Sequence, residues 1–244
     1  MIRILIPVYN EEKNIGRCVK DIHEILKKNP HRFYLINDGS KDSSLNILKK
    51  LSRKLPVCVL DHKVNRWVAE AFKTGLYKIN QDGKPGDIVA ITEGDGTSTP
   101  KLLLEMIKQN KSGFDVVIAS RYKGGGCYVN FPLKRLFLSR SANFVMSLFF
   151  PYPEVKDYTI FYRTYKMEII RKLIRTYKKN LIKTKFFTAN AELLIKCMKF
   201  KPKIAEVPYV YDYGKKKGSS GLKIIKNILQ YLKLIYERSI LHKS

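Results

Sequence analysis

The sequence predicts an α/β protein with a mostly parallel central sheet flanked by helices. Three observations predict it. Short apolar runs recur as candidate strands, amphipathic helical stretches separate most of them, and acidic or glycine-bearing loops follow the runs. Strands alternating with helices pair in parallel through right-handed crossovers. Loops leaving the carboxyl edge of such a sheet are where ligands bind.

The first strand, Ile2 to Ile6, is apolar apart from Arg3 and leads into Pro7-Val8-Tyr9-Asn10-Glu11-Glu12. A helix through about Lys28 follows; Asn10 can cap it, and Glu11 and Glu12 suit its positive end. Phe33 to Ile36 is a second strand, entering Asn37-Asp38-Gly39-Ser40 and a helix through about Lys54. Val57 to Leu60 is a third strand and Trp67 to Ile79 a helix. The central strand, Asp87 to Ile91, exits into Thr92-Glu93-Gly94-Asp95-Gly96, after which Thr99-Pro100 can start a helix. Phe114 to Ala119 is a fifth strand, ending at Ser120-Arg121-Tyr122.

Beyond Gly124 the pattern is less regular. Leu133 to Phe150 reads as a helix, Asp157 to Tyr162 as a short strand, and Lys166 to Tyr177 and Ala189 to Lys199 as helices. Lys203 to Val207 reads as a late strand, and Gly214 to Gly221 is a basic, glycine-rich loop. Leu222 to Leu241 is amphipathic, with Ile225, Ile228, Leu229, Leu232, Ile235 and Tyr236 at three- and four-residue steps and Lys223, Lys226, Lys233 and Arg238 on other faces. Such a helix either lies in a membrane interface or packs on the domain or a partner. The expected organisation is one domain over residues 1–221 and a terminal helix over 222–244.

A chain of 244 residues with 45% hydrophobic content supports a full core. Its formal charge of +26 calls for an anionic partner, whether nucleic acid, an acidic membrane surface or phosphorylated substrates, unless it reflects a lysine-rich source. The basic residues are spread along the chain, so no nucleic-acid partner is expected. Cys18, Cys58, Cys127 and Cys197 lie far apart, indicating neither a zinc site nor a disulfide framework and fitting a reducing, cytoplasmic setting. The most apolar patch, Phe144 to Phe150, is far short of the ~20 residues of a spanning helix.

Glu93 and Asp95 are the sharpest chemical signal. Carboxylates two residues apart at a strand exit can hold a hard cation, Mg²⁺ or Mn²⁺, while leaving positions for phosphate oxygens. Taken alone, the stretch is equally an acidic turn whose glycines serve geometry. Of the histidines, His23 and His31 sit on or after a surface helix, His62 in a loop and His242 in the tail, and none is expected to act chemically.

In combination the motifs are recognisable. Pro7 to Glu11, Asn37 to Ser40, Glu93-Gly94-Asp95, Ser120 to Gly125, Lys134-Arg135 with Ser139 to Asn143, and Glu206 to Pro208 follow one another in family order. The chain resembles the family 2 glycosyltransferases of the GT-A fold, and within them the dolichol-phosphate mannose synthase branch. That resemblance implies a GT-A nucleotide-sugar-binding fold, with Pro7, Tyr9, Glu11, Ile36 and Asp38 holding base and ribose and Glu93 and Asp95 holding the metal. It implies that Arg121, Arg135 and Ser139 face the phosphates of donor and acceptor, with Asp95, Arg121 and Arg135 catalytic. The late loop lacks the family's arginine, and Lys215 to Lys217, Lys215 first, stand in for it as donor ligands.

The expected reaction is inverting transfer of a hexose, mannose or glucose, from GDP-mannose or UDP-glucose to a polyprenyl phosphate at the cytosolic face of a membrane. A separate membrane subunit is left open. One alternative is transfer to a sugar hydroxyl of a glycan, which needs a general base, with Asp157 and Glu192 the candidates; another, resting on the charge alone, is a basic nucleic-acid-binding protein. Trp67 is expected in the core.

Overall fold

Ile2–Val8 forms β1 because an almost unbroken apolar run suits a strand covered on both faces. Its one charged residue, Arg3, is buried and neutralised by Asp87, with Nε 2.7 Å from Oδ2. The computed structural model of the protein describes residues 1–218 and 224–241. After β1 come α1 (Ile15–Leu26), β2 (His31–Asp38), α2 (Ser44–Ser52), β3 (Val57–His62), α3 (Trp67–Asp82), β4 (Ile88–Ile91) and α4 (Pro100–Lys111). The second half adds β5 (Val116–Ser120), β6 (Cys127–Val129), α5 (Leu133–Phe149), β7 (Arg163–Lys166), α6 (Met167–Tyr177), α7 (Thr188–Met198), β8 (Ile204–Pro208), β9 (Val210–Asp212) and α8 (Ile224–Leu241).

Among the described residues one sheet of seven strands runs in the order β3-β2-β1-β4-β7-β5-β8. Every neighbouring pair is parallel except those of β7, which is antiparallel to both β4 and β5. The chain moves outward from β1 to β3 on one side and returns to β4 on the other. The switch point therefore lies between β1 and β4, where a cleft opens at the carboxyl ends of the strands. Helices α1, α2 and α4 pack together on one face, and α3, α6 and α7 on the other. Gly75 lets α3 sit directly on β1, since a Cβ there would collide with the Leu5 side chain.

Two expectations need correction, and one pair of strands was not expected. The strand expected over Asp157 to Tyr162 begins only at Arg163, because the Asp157 carboxylate captures the Thr159 and Ile160 N–H groups in a turn. His62 is not in a loop but is the buried last residue of β3. A small parallel sheet, β6 with β9, has no counterpart in the sequence pattern, since three-residue strands show no usable alternation.

The terminal helix packs on α5 and α7 through Asn227, Tyr231 and Leu234, while Ile225, Ile228, Leu229, Leu232 and Tyr236 of the apolar stripe stay exposed. Leu222 and Lys223, the expected domain boundary, Ser219 to Gly221 of the basic loop, and His242 lie outside the described residues.

Candidate active site

The loop leaving β4 is shaped by its own residues. Asp95 Oδ1 accepts from Thr97 N–H at 3.1 Å and Thr97 Oγ1 at 2.7 Å, a side-chain turn that Gly96 completes at φ +83°. From the late strands, the buried Tyr209 hydroxyl donates to the Thr97 carbonyl at 2.8 Å and pins the loop. This leaves Asp95 Oδ2 turned toward the Lys216 ammonium, 2.9 Å away. The same ammonium lies 4.0 Å from Glu11 Oε1.

The electrostatics of the place are those of crowded acidic groups around one ammonium. Burial, together with the Asp95 charge, pushes the Glu93 carboxyl up to about 8. Burial also raises Glu11, against a hydrogen bond from Asn14. Lys216 is itself raised: burial opposes its charge, but Asp95 and the neighbouring glutamates outweigh burial. A further cation placed among such crowded, buried carboxylates would favour their ionised forms.

Among the described residues no group of three or more His, Cys, Asp or Glu side chains encloses a metal by itself. Glu93 and Asp95 are oxygen donors of the kind a hard divalent cation takes and would supply two of its ligands; here the Lys216 ammonium lies against Asp95.

The residues expected to hold the nucleoside gather at the ends of β1 and β2. Pro7 lies near the end of β1, Tyr9 and Glu11 follow it, and Tyr9 is 41% exposed, its ring available for stacking. Asp38 ends β2; its Oδ1 accepts from His62 Nδ1 at 2.8 Å and Arg66 N–H at 2.9 Å. His62 Nε2 is in turn 2.9 Å from Thr74 Oγ1, so a histidine to which the sequence assigned no role orients Asp38. Ile36 is fully buried and turned toward Gly75 of α3, which leaves only its backbone for a ligand. Trp67 is half-buried, edge-on to Phe186, and is not a core residue.

Beside Asp95 lies a cavity of about 200 Å³ whose polar wall includes Glu93, Asp95, Arg121, Arg135, Ser139 and Lys216. Arg121 is not the open fork expected from the sequence. Its Nε and Nη2 grip the two Asp157 oxygens at 2.8 and 2.7 Å, and Nη2 also meets Thr159 Oγ1. The rings of Tyr122, Tyr128 and Tyr211 surround its guanidinium, so it acts in place as a fixed positive charge. Arg135 Nη1 donates to the Tyr213 hydroxyl at 2.8 Å, and Ser139, one helical turn on, shares a 2.9 Å hydrogen bond with the Tyr128 hydroxyl. Arg140 is exposed on another face of α5.

The basic loop presents a different lysine from the one expected. Lys215 is exposed, whereas Lys216 enters the cavity. In a run of three lysines the sequence offers no means of choosing. The two candidate bases are also otherwise engaged. Asp157 is fully buried and held below the usual carboxylate range, its burial outweighed by Arg121 and by backbone hydrogen bonds. Glu192 is buried away from the cavity, accepting from Lys183 and Thr184 N–H groups and pairing with Lys196.

The family model for Glycosyl transferase family 2 matches residues 3–174. Over 236 residues the chain is 28% identical to a dolichol-phosphate mannosyltransferase of Pyrococcus furiosus, covering 96% of this chain and 62% of that one, so it falls short of that relative's full length. It is 29% identical over 238 residues to an uncharacterised protein of Methanocaldococcus jannaschii, covering 97% and 92%. Among solved structures, glucosyl-3-phosphoglycerate synthase from Mycobacterium tuberculosis, in complex with Mn²⁺, UDP and phosphoglyceric acid, superposes with a TM-score of 0.67 at 14% identity. That match covers 96% of this chain and 76% of the other and establishes a shared GT-A architecture. With the matched segment spanning the strand exits that carry Asp38, Glu93, Asp95 and Arg121, the chain belongs to glycosyl transferase family 2.

Proposed function

We propose that the protein moves one hexose from a nucleotide-sugar, GDP-mannose or UDP-glucose, to a polyprenyl phosphate, with inversion at C1 and with Mg²⁺ or Mn²⁺. The observation that carries this reading is the two-sided cavity. Its polar wall holds Arg121, Arg135 and Ser139, and its other wall, contributed by α5 and α8, holds Leu138, Ala142, Ile228 and Tyr231 beside Phe161 and Phe187. An acceptor with an anionic head and a hydrocarbon tail matches both walls. The Pyrococcus relative bears the name of such an enzyme, and the chain's +26 charge favours anionic substrates and an anionic membrane surface.

In this reading Pro7, Tyr9, Glu11, Asp38 and the Ile36 backbone hold the nucleoside, with His62 keeping Asp38 in orientation. Glu93 and Asp95 hold the metal, which when bound neutralises the diphosphate leaving group. Arg135 and Ser139 take the acceptor phosphate, with Arg121 a fixed charge behind it. The acceptor oxygen forms its bond to C1 as the bond from C1 to the nucleoside diphosphate breaks. A phosphomonoester has its second pKa near ~6 and attacks already ionised, so no base is required of the tied Asp157 or the distant Glu192. Transfer to a neutral hydroxyl would lack that advantage.

Purified protein incubated with each nucleotide-sugar, Mg²⁺ or Mn²⁺ and polyprenyl phosphate is expected to yield a glycolipid. Asp95→Ala should reduce the rate by about 10²-fold or more, the scale of losing a pre-organised electrostatic contact. A free polyprenol, lacking the phosphate, should not react. Equal rates for the wild type and Asp95→Ala, or preference for the alcohol, would sink the reading.

A further inference from the structure

Lys216 stands where a divalent cation would bear on Asp95, and its placement is built rather than incidental. The side chain is half-buried, its ammonium 2.9 Å from Asp95 Oδ2 and 4.0 Å from Glu11 Oε1. The loop that carries it is fastened by a buried amide. Asn14, 1% exposed just before α1, donates Nδ2 to the Lys217 carbonyl at 2.7 Å and accepts from Lys217 N–H at 3.3 Å. The same Nδ2 donates to Glu11 Oε2 at 2.8 Å. One side chain thus joins a carboxylate of the site to a loop 203 positions away in sequence. A solvated surface lysine would need neither the burial nor the tether.

We propose that Lys216 is a tethered counter-ion, occupying the cation position on Asp95 while the donor is absent and passing to the donor's diphosphate when metal and nucleotide arrive together. The inference rests on the metal-dependent reading above and adds a rule for the order of binding. A metal ion arriving alone must displace the ammonium from Asp95 and then sits beside a displaced like charge in a partly desolvated pocket, which is unfavourable. A nucleoside diphosphate supplies oxygens for that ammonium, turning a repulsive neighbour into a charge-assisted hydrogen-bond donor. Metal and nucleotide therefore strengthen each other's binding, and by the same factor in both directions. Neighbouring Lys215 and Lys217 are exposed and do not enter this exchange.

The test is a Mn²⁺ titration followed by the electron paramagnetic resonance signal of the free ion, alone and with UDP or GDP in separate arms. The wild type is expected to bind Mn²⁺ about tenfold or more tightly with its nucleoside diphosphate than without, within the usual range of coupling between sites. Lys216→Met should bind Mn²⁺ alone about tenfold more tightly than the wild type and lose most of the coupling. Should Lys216→Met leave the affinity for Mn²⁺ alone unchanged or weaker, while Asp95→Asn still abolishes Mn²⁺ binding, the counter-ion role is overturned and the metal site stands. Should Asp95→Asn bind Mn²⁺ as the wild type does, both are overturned.

Discussion

Arg121 and Asp157 show how one pair of side chains shapes the site. The carboxylate accepts from Arg121 Nε, Nη2 and backbone N–H, and its turn organises the segment up to Ile160. Replacing Asp157 by Asn keeps the shape but leaves a buried guanidinium without its counter-charge, which should cost about 3–5 kcal/mol, read from the urea midpoint at neutral pH. The pH dependence has a definite sign. The folded-state value lies below the ordinary one despite burial, because Arg121 outweighs it. The stabilisation is therefore present above the ordinary carboxylate value near ~4 and is lost as pH falls through the lower folded value. The gap between wild type and Asp157→Asn should close under acid conditions; a gap that stays constant down to acid pH would show that Asp157 is not held in ionised form.

At the scale of elements, the seat of α3 on β1 is the contact most sensitive to a small change. Leu5 and Ile36 fill the space that Gly75 leaves. Gly75→Ala raises intrinsic helix propensity yet overpacks that contact, and the second effect should prevail by about 1–3 kcal/mol. Thermal unfolding would then show a lower Tm; a raised Tm would mean that the strand yields and the helix does not need its glycine. Because Ile36 lies two residues before Asp38 on β2, the same variant should also weaken nucleotide binding.

For the molecule as a whole, the surface of α5 and α8 is the notable feature. Leu133, Phe137, Phe144 and Leu148 on α5, and Ile225, Leu229 and Leu232 on α8, are each more than half exposed. The two helices touch, and each lines the cavity that holds Arg121 and Arg135. Among the described residues no helix is long and apolar enough to cross a membrane, but exposed apolar side chains flanked by Lys134, Arg140, Lys226 and Lys233 suit an anionic bilayer surface. The protein should co-sediment with anionic vesicles and be released by salt. Phe144→Glu together with Leu229→Glu should lower that partitioning by about tenfold or more, since each lost apolar contact is worth ~1.5–3 kcal/mol. Nucleotide binding should be unaltered. Unchanged partitioning of the double variant would exclude this face.

Much of the fold was legible in local pattern. Continuous apolar runs marked β1, β2 and β4, and the glycines around Asp95 marked the strand exit where the carboxylates lie, because each depends only on neighbouring residues. The antiparallel β7 was misplaced, since the Asp157 turn consumes backbone donors in a way no periodicity reveals. His62 was missed because its partner, Asp38, comes from the adjacent strand.

The sequence by itself determined the alternation of strands and helices, the order of the motifs and the pair Glu93 and Asp95. Only the tertiary structure decided that Lys216, and not Lys215, meets Asp95 across 121 positions, and that Arg121 is already held by Asp157. Those choices follow from strand pairing, in which β8 lies beside β5 and β9 beside β6. That pairing carries the basic loop back over the exit of β4, a long-range closure on which local side-chain preferences have no bearing.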